Sequence, residues 1–222
     1  MDAVVRNIIT VKGAENEVRD MLDLITVDDK GNTGTVVFDF GKVLPEPEYD
    51  PMDEAFERHR WRCLKWGCKD IGRNFKLLDR ELGSAKFQFD TLWGFPYPVF
   101  RALAAKYRNL DFSCCYAEDD IGFNAGWNGY HWDSTKDKLW EDESDHEGSI
   151  AFCCKVWGIH KKNWERQNQK HIKYLREQLA FGKGETLTKT SLPGGYDNFD
   201  TRGNYDFGTL SDWFPGSHSS NW

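Results

Sequence analysis

The 222-residue sequence has no apolar run of about 18 residues, so no membrane span is expected. It opens MDAVVRNIITVKG, with no basic start followed by an apolar block, and no secretory signal is expected. Several catalytic signatures are missing: there is no G-x-x-x-x-G-K-[ST], no H-E-x-x-H and no G-x-S-x-G. Positive charge is in deficit, with 29 Lys and Arg against 36 Asp and Glu, a net charge of −7. Such a balance repels phosphate backbones and argues against non-specific nucleic-acid binding, while leaving room for a local basic patch.

No C-x-x-C pair occurs among the six cysteines, Cys63, Cys68, Cys114, Cys115, Cys153 and Cys154. Two adjacent pairs lie in apolar runs that read as strands, where neighbouring side chains point to opposite faces. The thiols are therefore expected to be reduced and mostly buried, in a cytoplasmic protein. What the chain has in excess is aromatics, at 15% with ten Trp, beside a polar mean hydropathy of −0.70.

The local pattern predicts alternating strands and helices. RNIITVKG (6–13) is β-branched and ends in Gly, a strand signal. In the following segment Val18, Met21, Leu22 and Ile25 recur at helical spacing behind acidic residues. Thr35 to Phe40 suit a second strand. Met52, Phe56, His59, Cys63 and Trp66 mark one stripe of a helix over 51–66. Residues 71–82 fit a helix or a hairpin arm. In KFQFDTLW (86–93), Phe87, Phe89 and Thr91 alternate with polar residues, and Gly94 and Pro96 close the strand. Pro98 suits the first turn of a helix whose stripe is Val99, Leu103 and Tyr107. Strands are expected over 109–118 and 121–132, joined tightly at 117–120.

Residues 133–147 hold seven acids against two lysines, net −5, and read as an exposed loop. SIAFCCKVWG (149–158) reads as a strand and 160–181 as one basic helix. The remainder, 182–222, is rich in Gly, Ser, Asn and Asp with scattered aromatics, and is expected to be irregular or to wrap the domain. The division expected is thus 1–158, 159–181 and 182–222. The element order is that of an α+β, ferredoxin-like antiparallel sheet with helices on one face, an extra C-terminal helix and an irregular tail.

LKWGCKD (64–70) and the stretch from Phe87 to Trp127 resemble the YubB ferredoxin-like family, also described as Api92-like, of phages and conjugative plasmids. That family has a Trp-Gly-Thr-Lys segment, a strand ending Thr-Ala-Trp before a proline-containing helix start, and a Tyr–acidic–Gly–Phe–Gly stretch. Trp66-Gly67, Thr91, Trp93, Pro96, Pro98, Tyr116, Glu118, Gly122, Phe123 and Gly126 stand at the corresponding places, with Cys68 where Thr is usual. The resemblance spans roughly residues 6–158. It implies the fold, a strand over 73–80 and a mobile-element origin, and it implies no reaction.

The leading functional expectation is a non-enzymatic accessory protein in the host cytoplasm that binds a host protein. A defence nuclease such as a CRISPR effector is the class of target considered. Trp66, Trp93 and Trp127 are partner-contact candidates because indoles combine apolar area with a polar handle, although the same residues can fill a thin core. Glu141, Asp142, Glu143 and Asp145 could imitate phosphates in a basic groove, and Trp213 is the tail's candidate. Two alternatives stand beside this: a nucleic-acid module stacking bases on a sheet, and a zinc protein using His59, Cys63, Cys68 and His131. No other cofactor is expected.

Overall fold

The computed structural model describes residues 2–29, 34–49 and 54–181, the last five by backbone alone. Strand β1 (Val4–Lys12) is followed by helix α1 (Glu15–Ile25). A short hairpin, β2 (Thr26–Asp28) and β3 (Val36–Phe38), and helix α2 (Glu54–Lys65) then precede β4 (Arg73–Glu81) and β5 (Ser84–Leu92). Helix α3 (Tyr97–Lys106) leads into β6 (Asp111–Glu118), β7 (Ala125–Asp133) and β8 (Lys138–Asp145). Helices α4 (Ile150–Trp157), α5 (Lys161–Gln167) and α6 (Gln169–Phe181) complete the described chain.

The main sheet has six strands in the order β4-β5-β1-β6-β7-β8, and every neighbouring pair is antiparallel. The units β1-α1-β4 and β5-α3-β6 interleave, which is the ferredoxin-like arrangement. The β2–β3 hairpin and α2 are inserted in the first crossover, and β7 and β8 extend the sheet beyond β6. Periodicity of two explains the division of faces. Val5, Ile9 and Val11 share one face with Phe87, Phe89, Phe112 and Cys114, all buried.

Helix α3 lies on that face. Phe100 stacks on Phe89 with ring centroids 6.3 Å apart and meets Phe112 edge-on at 6.1 Å. Helix α1 shares it, burying Val18, Met21, Leu22 and Ile25, and accepts a hydrogen bond at Asp20 O from the Tyr107 hydroxyl, 3.4 Å away. Within this apolar layer Asn7 is fully buried and donates to Thr91 Oγ1 at 2.9 Å.

Four sequence expectations are corrected. Residues 149–158 form helix α4, not a strand. The Ser149 hydroxyl accepts from Phe152 N at 3.4 Å, and Gly158 at φ +66° ends the helix. Those caps, spaced for a two-turn helix, outweigh a β-rich composition. Cys153, Cys154 and Val156 then pack with Ala117, Ile121 and Ala125, against Ile8 and Cys115. Because Ile8 and Cys115 belong to the face opposite α1 and α3, α4 adds cover to the second face.

Within 133–147, Lys138–Asp145 form strand β8, the second arm of a hairpin with β7, instead of a loop. An edge strand tolerates charge on both sides because both are solvated. The basic segment 160–181 is two helices, α5 and α6, interrupted at Asn168, whose side-chain amide donates to Trp164 O at 2.8 Å. Strand β3 also stops short at Phe38, and a 3₁₀ turn over Phe40–Lys42 follows, capped by Asp39. Residues 182–222 lie outside the described residues. No helix among the described residues is long and apolar enough to cross a membrane.

Candidate functional site

The tryptophans fall into three different environments. Trp66 is 1% exposed, and its indole N–H donates to Leu44 O at 2.9 Å. Its ring meets Phe40 and Trp61 edge-on at 5.6 and 5.7 Å. Trp66 is therefore a core residue, which corrects its candidacy as a partner contact. The turn after it runs against the corner between β5 and α3. Gly67 has φ +82°, and a Cβ there would lie 3.2 Å from Phe95 O. Facing it, a Cβ on Gly94 would lie 2.9 Å from Gly67 O, so Gly94 has no room for a side chain and Gly67 is tight as well as left-handed.

Trp93, on the far side of this corner, is 40% exposed. Its backbone is left-handed at φ +79°, a conformation that costs a bulky residue about 1–3 kcal/mol. The surroundings hold it there. Trp93 N donates to Ala3 O at 2.9 Å, and the indole N–H donates to Asp2 Oδ1 at 3.2 Å. Lys69 Nζ sits 4.8 Å from the ring centroid and pairs with Asp2 Oδ2 at 2.8 Å. Hydrogen bonds from Lys69 and Trp93 hold the Asp2 carboxyl below its usual range.

Trp127 is on β7, three strands along from β5, roughly 14 Å away at the usual strand spacing. It half-buries on the second face, donating to Ser113 Oγ at 2.7 Å. Trp213 lies outside the described residues.

The proposed metal ligands are not gathered. Cys63 Sγ lies 3.9 Å from His59 Nε2 on α2, and the His59 ring meets Trp93 at 5.0 Å. Cys68 is buried, its thiol donating to Asp70 O at 3.3 Å, and burial pushes it far above the usual thiol range. His131 is on β7, tilted against Trp140 at 6.2 Å. Among the described residues no group of three or more His, Cys, Asp or Glu stands where it could hold a metal ion.

The acids are brought together by β8. Its side chains alternate, so Glu141, Glu143 and Asp145 lie on the face of Tyr130 and Asn128, while Asp142 lies on the other with Trp140. Glu141 Oε2 accepts from Arg101 Nε of α3 at 2.7 Å. Asp137 pairs with Arg108 at 2.9 Å. Asp142, Glu143 and Asp145 are exposed, and no ion pair engages them among the described residues. Their field reaches inward. Tyr97 and Tyr116 join hydroxyl to hydroxyl at 2.5 Å beneath α3, and burial raises both phenols, with the Glu143 and Asp145 charges adding to the effect.

A network that sequence reasoning missed fills the middle of the second face. Arg6 forks onto buried Asp90, with Nε 3.0 Å from Oδ1, and Asn74 donates to Asp90 Oδ2 at 3.0 Å. The Arg6 guanidinium stacks 4.1 Å from the Trp157 ring centroid. Trp157 in turn donates to Glu118 O at 2.9 Å. The trace in the sequence was an arginine on β1 and an aspartate on β5, not distinguished there from the other polar residues of the two strands.

Residues 72–157, running from the residue before β4 through α4, match the family model for the ferredoxin-like domain in Api92-like protein. A solved structure, the crystal structure of a protein api92 from Yersinia pseudotuberculosis, is 18% identical with a TM-score of 0.32. That similarity covers 40% of this chain and 30% of the other. No curated protein matches the chain.

Proposed function

We propose that the chain is a non-enzymatic accessory protein that binds a basic surface of a host protein through the acidic β7–β8 hairpin. The observation that carries this reading is strand β8, which sets Glu141, Glu143 and Asp145 on one face and Asp142 on the other along an exposed edge of the sheet. Carboxylates fixed at strand spacing can stand in for a phosphate row. They steer association and make it salt-sensitive. Among the classes of host protein with a complementary groove are defence nucleases such as CRISPR effectors. A binding role also agrees with the chemistry of the interior, where burial pushes the Cys68, Cys114 and Tyr130 groups up and away from reactive ionisation at neutral pH.

The test is capture from host lysate on the immobilised full chain at low and high salt, with Glu143→Lys and Asp145→Lys together as the comparison. A protein retained at about 50 mM salt, released by about 300 mM and lost in the double variant supports the reading. Retention that ignores both salt and charge reversal overturns it.

A second reading, nucleic-acid binding, draws on the exposed cations Lys161, Lys162, Arg166, Lys170, Lys173 and Arg176 of α5 and α6. It is weaker because stacking modules use an open sheet face, and here α4 and the Arg6–Trp157 stack occupy the centre of that face. A gel shift with single-stranded RNA and DNA at low salt decides it, and we expect no shift.

A further inference from the structure

We propose that the outer edge of β8 takes up a basic, extended segment of the partner as an added strand. This rests on the acidic hairpin being the partner surface and specifies how that surface is used.

The register identifies the backbone groups that face outward. His146 N donates to Ala125 O at 2.9 Å, so residues 125 and 146 form a hydrogen-bonded pair. By the alternation of an antiparallel ladder, Trp127–Ser144, Gly129–Asp142 and His131–Trp140 are also hydrogen-bonded pairs. The intervening pairs, Gly126–Asp145, Asn128–Glu143, Tyr130–Glu141 and Trp132–Leu139, are not. On the other side of β7, Glu118 N donates to Asn124 O at 3.1 Å, which gives the same parity. The N–H and C=O groups of Leu139, Glu141, Glu143 and Asp145 therefore point away from β7. Among the described residues no strand pairs with them.

The two edges of the sheet differ in how they resist pairing. Strand β4 shifts register twice, between Arg73 and Lys76 and between Leu77 and Asp79. Strand β8 pairs residue for residue with β7 from Asp145 to Lys138, with neither a bulge nor a proline. Its one protection is negative charge. That charge is selective. A second β8 laid antiparallel would set carboxylate against carboxylate. A strand with Lys or Arg at alternate positions would instead meet Glu143 and Asp145, while Glu141 is already held by Arg101. On the other face Trp140, 44% exposed, offers an aromatic surface to an apolar residue or a lysine stem. The occupant is thus an extended segment with basic residues two apart on one face and an apolar residue on the other.

The probe is a labelled synthetic peptide of alternating Lys and Val, titrated into the full chain at low salt and followed by anisotropy and amide exchange. Binding is expected to slow exchange at Glu141, Glu143 and Asp145 and to leave Asp142 and Ser144, already bonded to β7, unchanged. Glu143→Gln removes the charge alone. Glu143→Pro also removes the outward N–H without touching the β7 ladder, and is expected to weaken binding about tenfold beyond the Gln variant. Melting curves of the two variants control for folding, and if the Pro variant unfolds, the wild-type exchange pattern decides.

Equal losses in both variants with no new protection overturn strand addition and leave the acidic-surface reading standing. A peptide that fails to bind while host protein is still captured overturns this inference alone, and failure of both experiments overturns both readings. Self-association abolished by Glu143→Pro would assign the edge to a second copy and overturn the basic occupant.

Discussion

Helices α2 and α3 have similar lengths, twelve and ten residues, and both carry an apolar stripe in the sequence, yet they are held by different forces. Helix α3 buries Pro98, Val99, Phe100, Leu103 and Ala104. Helix α2 buries none of its residues. Its expected apolar stripe includes Phe56, which is 67% exposed, and beside the ring contacts of Trp61 with Trp66 and His59 with Trp93 its anchorage comes from arginines. Arg62 binds Glu46 at 2.6 Å and Asp70 at 2.8 Å while lying over the Trp66 ring, and Arg58 reaches Glu46 at 3.2 Å. Helical periodicity therefore announces a helix in both cases, but only in α3 does it announce a core.

The largest test of the contrast is Phe100→Ala. Phe100 touches Phe89, Phe95, Phe112 and Tyr130, so truncation removes transfer energy and leaves a cavity in a layer with little freedom to collapse. The expected loss is about 3–5 kcal/mol in urea unfolding. A loss below about 1 kcal/mol would mean that α3 is no better seated than α2.

Arg62→Ala probes the other mode of attachment. The arginine joins two carboxylates and is about one-fifth exposed, so solvent screens part of each pair. A loss of about 2 kcal/mol is expected, reduced in high salt, whereas the Phe100→Ala loss is expected to be insensitive to salt.

Thiol chemistry separates the same two regions. Burial raises both Cys63 on α2 and Cys114 on β6, but Cys114 is fully buried on the α3 side of the sheet, whereas Cys63 is only half-covered. Alkylation at about pH 8 is expected to modify Cys63 at least about tenfold faster, because thiolate fraction and access both favour it. Peptide mapping by mass spectrometry reads the order directly, and comparable rates would contradict the packing of α3.

These differences explain what was legible in the sequence. The β-branched run of β1, the alternation in β5 and the proline-marked start of α3 located the ferredoxin-like core, because there the pattern and the burial agree. The strand over 73–80 came from the family resemblance, since periodicity alone left it open. Helix α4 was hidden because Ile150, Phe152 and Val156 favour strands, and the cap residues Ser149 and Gly158 carried the only contrary signal. Strand β8 was hidden because its pairing partner, not its own composition, makes it a strand. At the candidate site, the acids were legible as a charge run. Their alternation and the direction of their backbone groups depend on register with β7, which a single sequence does not display. Trp66 and Trp93 look alike in sequence, and only the packing separates them: Trp66 is enclosed by Phe40, Trp61 and Leu44 O, whereas Trp93 is 40% exposed.

The smallest effect is expected at Phe56. In the sequence it occupies the middle of the α2 stripe, and a core role would make Phe56→Ser as damaging as Phe100→Ala. In the structure its ring is two-thirds exposed, so little apolar area returns to water on substitution. The expected change is within about 0.5 kcal/mol of wild type. Solubility should improve, because the change removes an exposed aromatic from a helix that also exposes Leu64. A loss above about 2 kcal/mol would show that a covering surface closes over α2 in solution. The two helices would then differ in what covers them, and the distinction between apolar and ionic anchorage would fall.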